Sequence, residues 1–195
     1  MSFPPQDSHT GSHDILWAPW RSTLFSPPEK TAAPPGAKAS SESEQPRDPA
    51  GCFLCRYLSA AESEDRSHLV LHRGPLTITT MNRYPYTNGH LLIAPRQHLG
   101  TLGELAPELL LECQQMLVRW MSVLQVQFRA QGFNVGLNQG AIAGAGLPGH
   151  LHWHLVPRWQ GDQNFMPVVA NVHLMPQALE AAYELLRTGW EQIQT

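Results

Sequence analysis

The sequence lacks an excess of basic residues, a long apolar run and a large set of cysteines. Its 195 residues carry 13 lysines and arginines against 16 aspartates and glutamates, a formal net charge of -3, so no basic surface for nucleic acid is indicated. No segment approaches the roughly 20 apolar residues of a membrane helix, and no cationic start followed by an apolar core marks a secretory signal. We expect a cytoplasmic protein without nucleic-acid or membrane partners.

Three cysteines are too few for a disulfide framework, but two of them are closely spaced. Cys52 and Cys55 form a C-x-x-C pair just before the first predicted strand, a spacing that indicates metal or redox chemistry. Cys113 falls on the apolar face of a predicted helix, where we expect a simple core residue.

The composition divides the chain into four parts. Residues 26–50 are rich in Pro, Ser, Ala and charge, and they bring too little apolar surface to offset their ordering entropy. We predict a flexible N-terminus at 1–13, an aromatic docking segment at 14–25, a disordered insertion at 26–50 and one folded domain at 51–195.

The folded part reads as an α+β domain. Short apolar or alternating runs predict five strands, at 68–72, 76–81, 90–94, 133–138 and 150–156. Apolar residues spaced by three and four predict a long helix over 107–129 and a second helix over 176–192. This order predicts a roughly five-stranded antiparallel sheet, with the long helix packed on it and a C-terminal helix.

Three alternating histidines dominate the segment GHLHWHLVPRW at 149–159. In a strand, His150, His152 and His154 would share one face at a spacing of about 7 Å, with apolar residues on the other face. A single strand histidine is usually structural, whereas three in alternation favour a functional row. The row alone fits either nucleophilic chemistry or metal chelation.

A glycine-rich segment, NQGAIAGAGLPG at 138–149, directly precedes the histidines. Glycines let a backbone approach a ligand closely, and consecutive N–H groups in such a loop can bind an anion. The segment could be an ordinary loop. Beside a histidine row, however, it supplies what phosphorus chemistry needs, a nucleophile and fixed dipoles for developing charge.

These segments together resemble the histidine-triad (HIT) family, whose signature is three histidines alternating with hydrophobic residues. The similarity extends to MNRYPYTNGHLLIAP at 81–95 and GFNVGLNQG at 132–140, and it covers most of residues 14–175. The segments WAPWR at 17–21 and GDQNFMP at 161–167 are more similar to the branch of diadenosine tetraphosphate phosphorylases.

The resemblance implies roles for the triad. His152 corresponds to the nucleophile that attacks the α-phosphorus and becomes nucleotidylated. The other nitrogen of its ring would bond to a backbone carbonyl at His150, and His154 would contact phosphate or leaving-group oxygens. The residues expected to bind substrate are Asn82 at the ribose and, around the phosphates, Asn138, Gly144, Ala145 and Gly146. Arg158 is a further candidate for phosphate, although an arginine beside a tryptophan can equally stack on the surface.

The same resemblance implies a metal site. Zinc-bearing relatives, including the distantly similar galactose-1-phosphate uridylyltransferases, use two cysteines, a loop histidine and the first triad histidine. The ligands here would be Cys52, Cys55, His98 and His150, a closed structural zinc site without an open position for a catalytic water. The alternative is two buried thiols without a metal.

The function implied is transfer of AMP from a dinucleoside polyphosphate to His152 and then to phosphate or water. No dissociable cofactor is required, although a divalent metal can complex the polyphosphate. Two alternatives remain open: a HIT-type hydrolase of nucleoside phosphoramidates or acyl-adenylates, and a zinc-stabilised nucleotide-binding module with little turnover. By resemblance we also expect a homodimer.

Overall fold

The computed structural model describes residues 51–162, 175 and 177–193. The divisions predicted at 1–13, 14–25 and 26–50 lie outside the described residues, as does most of the GDQNFMP segment, so these divisions stay predictions. Among the described helices, none has the length and apolar character needed to cross a bilayer.

The described residues form four helices and five strands, the α+β arrangement expected from the sequence. The helices are α1 (Phe53–Ser59), α2 (Asp65–His68), α3 (Pro107–Phe128) and α4 (Leu179–Gln192). The strands are β1 (Val70–Arg73), β2 (Thr77–Met81), β3 (Leu91–Pro95), β4 (Gly132–Leu137) and β5 (Trp153–Arg158). Single 3₁₀ turns lie at Glu62–Glu64, Leu102–Glu104 and Ala141–Ala143.

The strands pair in the order β1-β2-β3-β5-β4, and every pair is antiparallel. Strand β5 therefore lies inside the sheet, between β3 and β4, with His154 opposite Leu92 on one side and Gly136 on the other. Strand β4 is at the edge. An internal strand is held on both sides, which gives its side chains fixed positions.

The core lies between the sheet and the two long helices. One face of α3 is buried along its length, and Trp120 at its centre stacks on Trp190 of α4 with ring centroids 4.4 Å apart. Leu151, Trp153 and Leu155, the apolar residues that alternate with the histidines, belong to the same buried cluster. Because side chains alternate along β5, His154 lies on the face away from this core.

Several predicted positions differ from the structure. The first strand begins at Val70, not at His68, because His68 is the last residue of α2, and the C-terminal helix begins at Leu179, not at 176. The strand that carries the histidines begins at Trp153, not at His150, because Leu151 N–H donates to Leu99 O at 2.6 Å instead of joining the sheet ladder.

The C-x-x-C pair does not directly precede the first strand. Cys52 caps the N-terminus of α1 by accepting a bond from Cys55 N–H. Neither this seven-residue helix nor α2 was predicted from the sequence.

Candidate active site

The triad histidines come together at the start of β5. His150 and His152 are buried and His154 is half-buried. The rings of His152 and His154 lie 5.0 Å apart, centroid to centroid. The extended backbone before Trp153 thus brings the three imidazoles into one row, although only His154 belongs to the strand itself.

His150 directs one ring nitrogen to the backbone and the other to two thiols. Its Nε2 lies 2.9 Å from Pro95 O, so this nitrogen carries the proton and donates it to the carbonyl. The lone pair of Nδ1 then faces the sulfurs of Cys52 and Cys55, at 3.2 and 3.5 Å. Burial lowers the pKa of His150 to about 4, and the Pro95 bond opposes this shift. The ring is therefore neutral near pH 7.

His152 has the orientation that a nucleophile requires. Its Nδ1–H donates to the backbone carbonyl of His150 at 2.9 Å. Because that nitrogen holds the proton, the lone pair of the neutral ring is on Nε2. Burial lowers the pKa of His152, so the neutral form is favoured near pH 7. A buried imidazole with a fixed tautomer can attack an electrophilic phosphorus.

His154 is paired with a histidine to which the sequence analysis gave no role. Its Nδ1 lies 2.9 Å from Nε2 of His90, which is fully buried and directly precedes β3. Burial, together with the neighbouring histidines, lowers the pKa of His90 to about 3 and that of His154 to about 4. Only the pairing of β3 with β5 reveals this contact, since the two residues are 64 positions apart in the sequence.

The glycine-rich segment forms a largely exposed loop between β4 and the triad. Gly140 and Gly144 have φ of +85° and +81°, a left-handed conformation that favours glycine. Nδ2 of Asn138 donates to Gly144 O at 3.4 Å, and Ala145 N–H donates to Gly140 O at 3.4 Å. Gly146 is exposed, and a Cβ built there would meet nothing within 4 Å. The loop has a defined shape with open space beside it.

A second side chain that the sequence analysis missed secures this loop. Oε1 of Gln139 accepts a hydrogen bond from Leu102 N–H at 2.9 Å, which ties the glycine loop to the 3₁₀ turn after His98. Neither a motif nor a periodicity indicated this bond. Its effect is to reduce the motion of a segment whose glycines would otherwise leave it mobile.

Asn82, predicted to contact ribose, follows β2 and lies against His90. Its Oδ1 accepts from Tyr84 N–H at 3.0 Å, and its Nδ2 is 3.3 Å from His90 Nδ1. The side chain is thus connected to the triad through His90. Its contact with ribose stays a prediction.

Arg158, predicted to hold phosphate, is already paired. Its Nη2 lies 2.8 Å from a carboxylate oxygen of Asp162, and its Nη1 lies 2.7 Å from Oδ1 of Asn134. The Arg158 bond is the main cause of the lowered pKa of Asp162. Assignment of Arg158 to the substrate stays a prediction, and the ion pair offers a structural role in its place.

The four predicted metal ligands, of which His150 is one, lie close together. One donor atom from each of Cys52, Cys55, His98 and His150 lies within 4.8 Å of all the others. Three nitrogen–sulfur distances are 3.2, 3.2 and 3.5 Å. A tetrahedral zinc with bonds of about 2.3 Å to sulfur and about 2.0 Å to nitrogen separates its donors by roughly 3.3–3.8 Å. The cluster therefore fits a divalent metal in number, donor type and spacing.

The fold and the triad define a class of protein, and comparison with known proteins agrees. Residues 62–161 match the family described as HIT domain. The chain is also 33% identical over 175 residues to the AP-4-A phosphorylase of Mycobacterium tuberculosis, covering 90% of this chain and 83% of that protein. This chain belongs to the HIT family.

A second relative and two solved structures extend the comparison. The bis(5'-nucleosyl)-tetraphosphatase (asymmetrical) of Schizosaccharomyces pombe is 30% identical over 93 residues, 48% of this chain and 50% of that protein. A Zn-bound histidine triad family protein of Mycobacterium smegmatis superposes with a TM-score of 0.60 at 22% identity, covering 75% of this chain and 98% of that one. A histidine triad nucleotide-binding protein of Sulfolobus tokodaii gives 0.59 at 21%, covering 73% and 94%. At these identities the structures bear on the fold alone.

Proposed function

We propose that this chain transfers AMP from dinucleoside polyphosphates through a covalent intermediate on His152. One observation carries the proposal: the Nδ1–H of His152 is bonded to the His150 carbonyl, which leaves a lone pair on Nε2 of a buried, neutral ring. The similarity to an AP-4-A phosphorylase over most of both chains supports the choice of substrate.

The reaction has two steps. Nε2 of His152 attacks the α-phosphorus, an N–P bond forms, and the electron pair of the broken P–O bond leaves with the nucleoside polyphosphate. The His150 carbonyl stabilises the positive charge that the ring acquires. An oxygen of phosphate or of water then attacks the same phosphorus, the N–P bond breaks, and the ring returns to its neutral form. Phosphate as acceptor yields ADP, and water yields AMP.

The remaining site residues have supporting roles in this proposal. His154 hydrogen-bonds the leaving oxygen, and Asn82 contacts the ribose. Asn138 shapes the glycine loop, and backbone groups at 144–146 stabilise charge on the phosphates. Preorganised donors of this kind act on the charge that develops in the transition state.

Product analysis tests the proposal. The full chain is incubated with diadenosine tetraphosphate, with and without inorganic phosphate, and the nucleotides are separated. We expect ATP with ADP when phosphate is present, and acid denaturation during turnover should trap AMP on the protein. Absence of both turnover and adenylated protein would contradict the proposal and favour a nucleotide-binding module.

We also propose that the cluster of Cys52, Cys55, His98 and His150 holds a structural zinc ion. Two sulfur and two nitrogen donors are the ligands that zinc prefers, and four protein ligands leave no position for a reacting water. Such an ion would fix the ring of His150 and, through the backbone of that residue, the carbonyl that orients His152. The free thiols of Cys52 and Cys55 are consistent with a reducing compartment, and for this reason we propose the cytoplasm.

A homodimer is the third part of this proposal. Leu111, Val118 and Val126 of α3 are 59%, 63% and 68% exposed, and Val135 on the edge strand β4 is 43% exposed. Leu111 and Val118 lie opposite the buried face of their helix, where polar residues are usual. Exposed apolar residues on a helix and an open strand edge both suit pairing with a second copy of the chain.

A single charge tests this interface. We expect the parent to sediment as a dimer and Val118→Glu to weaken association by about 100-fold, because a carboxylate would be buried without a partner. Ile193→Glu is the matched control, since Ile193 is 41% exposed at the end of α4, and it should remain dimeric. A parent that sediments as a monomer would contradict the proposal.

A further inference from the structure

His90 has hydrogen-bond partners that determine which of its nitrogens carries the proton. Tyr86 N–H donates to its Nδ1 at 3.1 Å, and Nδ2 of Asn82 lies 3.3 Å from the same nitrogen. A main-chain N–H can only donate, so Nδ1 of His90 must accept. Neutral His90 therefore has its proton on Nε2.

The proton on His90 sets the tautomer of His154 in turn. Nε2 of His90 lies 2.9 Å from Nδ1 of His154. Since His90 donates through this bond, Nδ1 of His154 accepts, and the proton of neutral His154 is on Nε2. Burial is the first cause of the low pKa of both rings, about 3 and about 4, which keeps them neutral near pH 7. A neutral pair can hold a directed chain of hydrogen bonds.

We infer that His90 is a positioning residue that fixes His154 as its Nε2–H tautomer, the form that can donate a hydrogen bond to the leaving oxygen. This inference rests on the proposed function for the meaning of that donor, but the tautomer can be tested by itself. As the P–O bond breaks, its electron pair stays on the leaving oxygen. The His154 N–H stabilises that charge without giving up its proton.

Tyr86 contributes to the same arrangement with its ring. The ring is stacked on His154, with centroids 5.9 Å apart and planes inclined by 17°, and its centroid lies 4.7 Å from that of His90. Tyr86 is thus the source of the main-chain donor and also a cover over both imidazoles. Two contacts from one residue limit rotation of the pair.

Two substitutions separate the hydrogen-bond role from packing. In His90→Gln, Oε1 can accept from Tyr86 N–H while Nε2 donates to His154, so the polarity of the chain is kept. In His90→Leu both bonds are lost, although an apolar side chain fills the site. His72→Gln is the matched control, because it replaces a histidine by glutamine outside the site. His72 of β1 is half-buried, and its ring centroid lies 4.5 Å from that of Trp190.

Nitrogen-15 NMR of histidine-labelled protein at mildly alkaline pH reads the tautomer directly. We expect a protonated Nε2 and an unprotonated Nδ1 for His154, assigned by loss of the signal in His154→Gln. The pattern should persist in His90→Gln and His72→Gln and become a mixture of tautomers in His90→Leu. An Nδ1–H tautomer in the parent, or an unchanged pattern in His90→Leu, would overturn the inference.

Leaving groups of different basicity give the kinetic test. The phenyl ester of AMP releases a basic phenolate, whereas the 4-nitrophenyl ester releases a weakly basic one. We expect His90→Leu to slow the first ester by roughly 100-fold and the second by less than about 10-fold, since the donor acts on developing charge. His90→Gln should recover most of the rate. An equal loss with both esters would mean that His90 is only structural.

The two tests fail in different ways. A parent that cleaves neither ester and forms no adenylated His152 would overturn the proposed function, and the NMR pattern would still decide the tautomer. A parent that cleaves both esters while His90→Leu retains the parent's ratio of rates would overturn the role of His90 and leave the proposed function in place.

Discussion

His150 and His152 are only two residues apart, yet they belong to two chemically different regions. The ring of His150 faces two thiols and a histidine in a partly buried cluster suited to a metal. The ring of His152 is bonded to a backbone carbonyl through Nδ1, which leaves the lone pair on Nε2. The two regions meet in one residue, because His150 gives its side chain to the cluster and its carbonyl to His152.

The difference shows that the second ring nitrogen determines what each histidine can do. Nε2 of His150 is bonded to Pro95 O, so its Nδ1 is available to a metal. Nδ1 of His152 is bonded to His150 O, so its Nε2 is available to phosphorus. In each histidine, the nitrogen bonded to a backbone carbonyl holds the proton. The other nitrogen then has the lone pair, and its surroundings determine whether it binds a metal or attacks phosphorus.

Loss of the nucleophile should give the largest effect. We expect His152→Asn to lower the rate of AMP transfer by more than about 10⁴-fold, because no other group can form the N–P bond. Single-turnover cleavage of diadenosine tetraphosphate, with trapping of the adenylated protein, measures this loss.

His72→Asn is the control for this substitution, because His72 lies on β1 against Trp190. It should transfer AMP at nearly the parent rate. Cleavage by His152→Asn as fast as by the parent would erase the distinction between the two regions, since the reaction would then need no covalent histidine.

Loss of the metal should lower the stability of the fold more than it lowers the rate of AMP transfer. At free zinc about 1,000 times the Kd, binding contributes about 4 kcal/mol to the folded state. We therefore expect Cys52→Ser to lose zinc by elemental analysis and to lower the Tm by about 10 °C. The rate of AMP transfer measured well below that Tm should fall by less than about 10-fold, because the His150 carbonyl stays in the backbone.

Cys113→Ser is the matched control for the metal. Cys113 lies on the buried face of α3 and is fully buried in the hydrophobic core, as predicted from its apolar position. The substitution should therefore lower stability without changing the zinc content. Two results would count against a supporting metal: a parent without zinc, or a Cys52→Ser variant that transfers AMP as slowly as His152→Asn.

Local patterns in the sequence predicted the sheet and the long helix, whereas the two sets of residues around His150 were implied by the family resemblance. Alternation placed Leu151 and Trp153 in the core, and the family resemblance brought Cys52 and His98 together with His150. The fold was predictable because it depends on the period of the apolar residues, while the roles of the residues in the two sets stay predictions. The start of β5 was misplaced because a loop bond to Leu99 O replaces the ladder there.

Contacts between distant segments could not be predicted in the same way. His90 meets His154 only because β3 and β5 are neighbours, and Gln139 meets Leu102 N–H only because two loops approach each other. Arg158 reads as a phosphate ligand from its position after the triad, but its partner Asp162 becomes evident only when the chain turns back after β5. Register and loop geometry depend on the whole fold.

Substitutions in the ion pair at the C-terminal end of β5 should have the smallest effect on stability. They extend the comparison beyond the three histidines. Arg158 and Asp162 form an ion pair with side chains 33% and 11% exposed, so solvent limits its contribution to at most about 1 kcal/mol. The Arg158 bond lowers the pKa of Asp162 in the folded state. The pair therefore stabilises the fold above the unfolded pKa of about 3.9, and this contribution is lost as the pH falls through the folded value.

We expect Asp162→Asn and Arg158→Gln each to lower the free energy of unfolding by up to about 1 kcal/mol at neutral pH. The difference between Asp162→Asn and the parent should vanish in acid, where the parent carboxylate is protonated. Urea unfolding at the two pH values measures this. If Arg158→Gln raises KM for the dinucleotide several-fold while Asp162→Asn does not, the guanidinium binds substrate phosphate, and the functional segment extends from His150 to Arg158 at the end of β5.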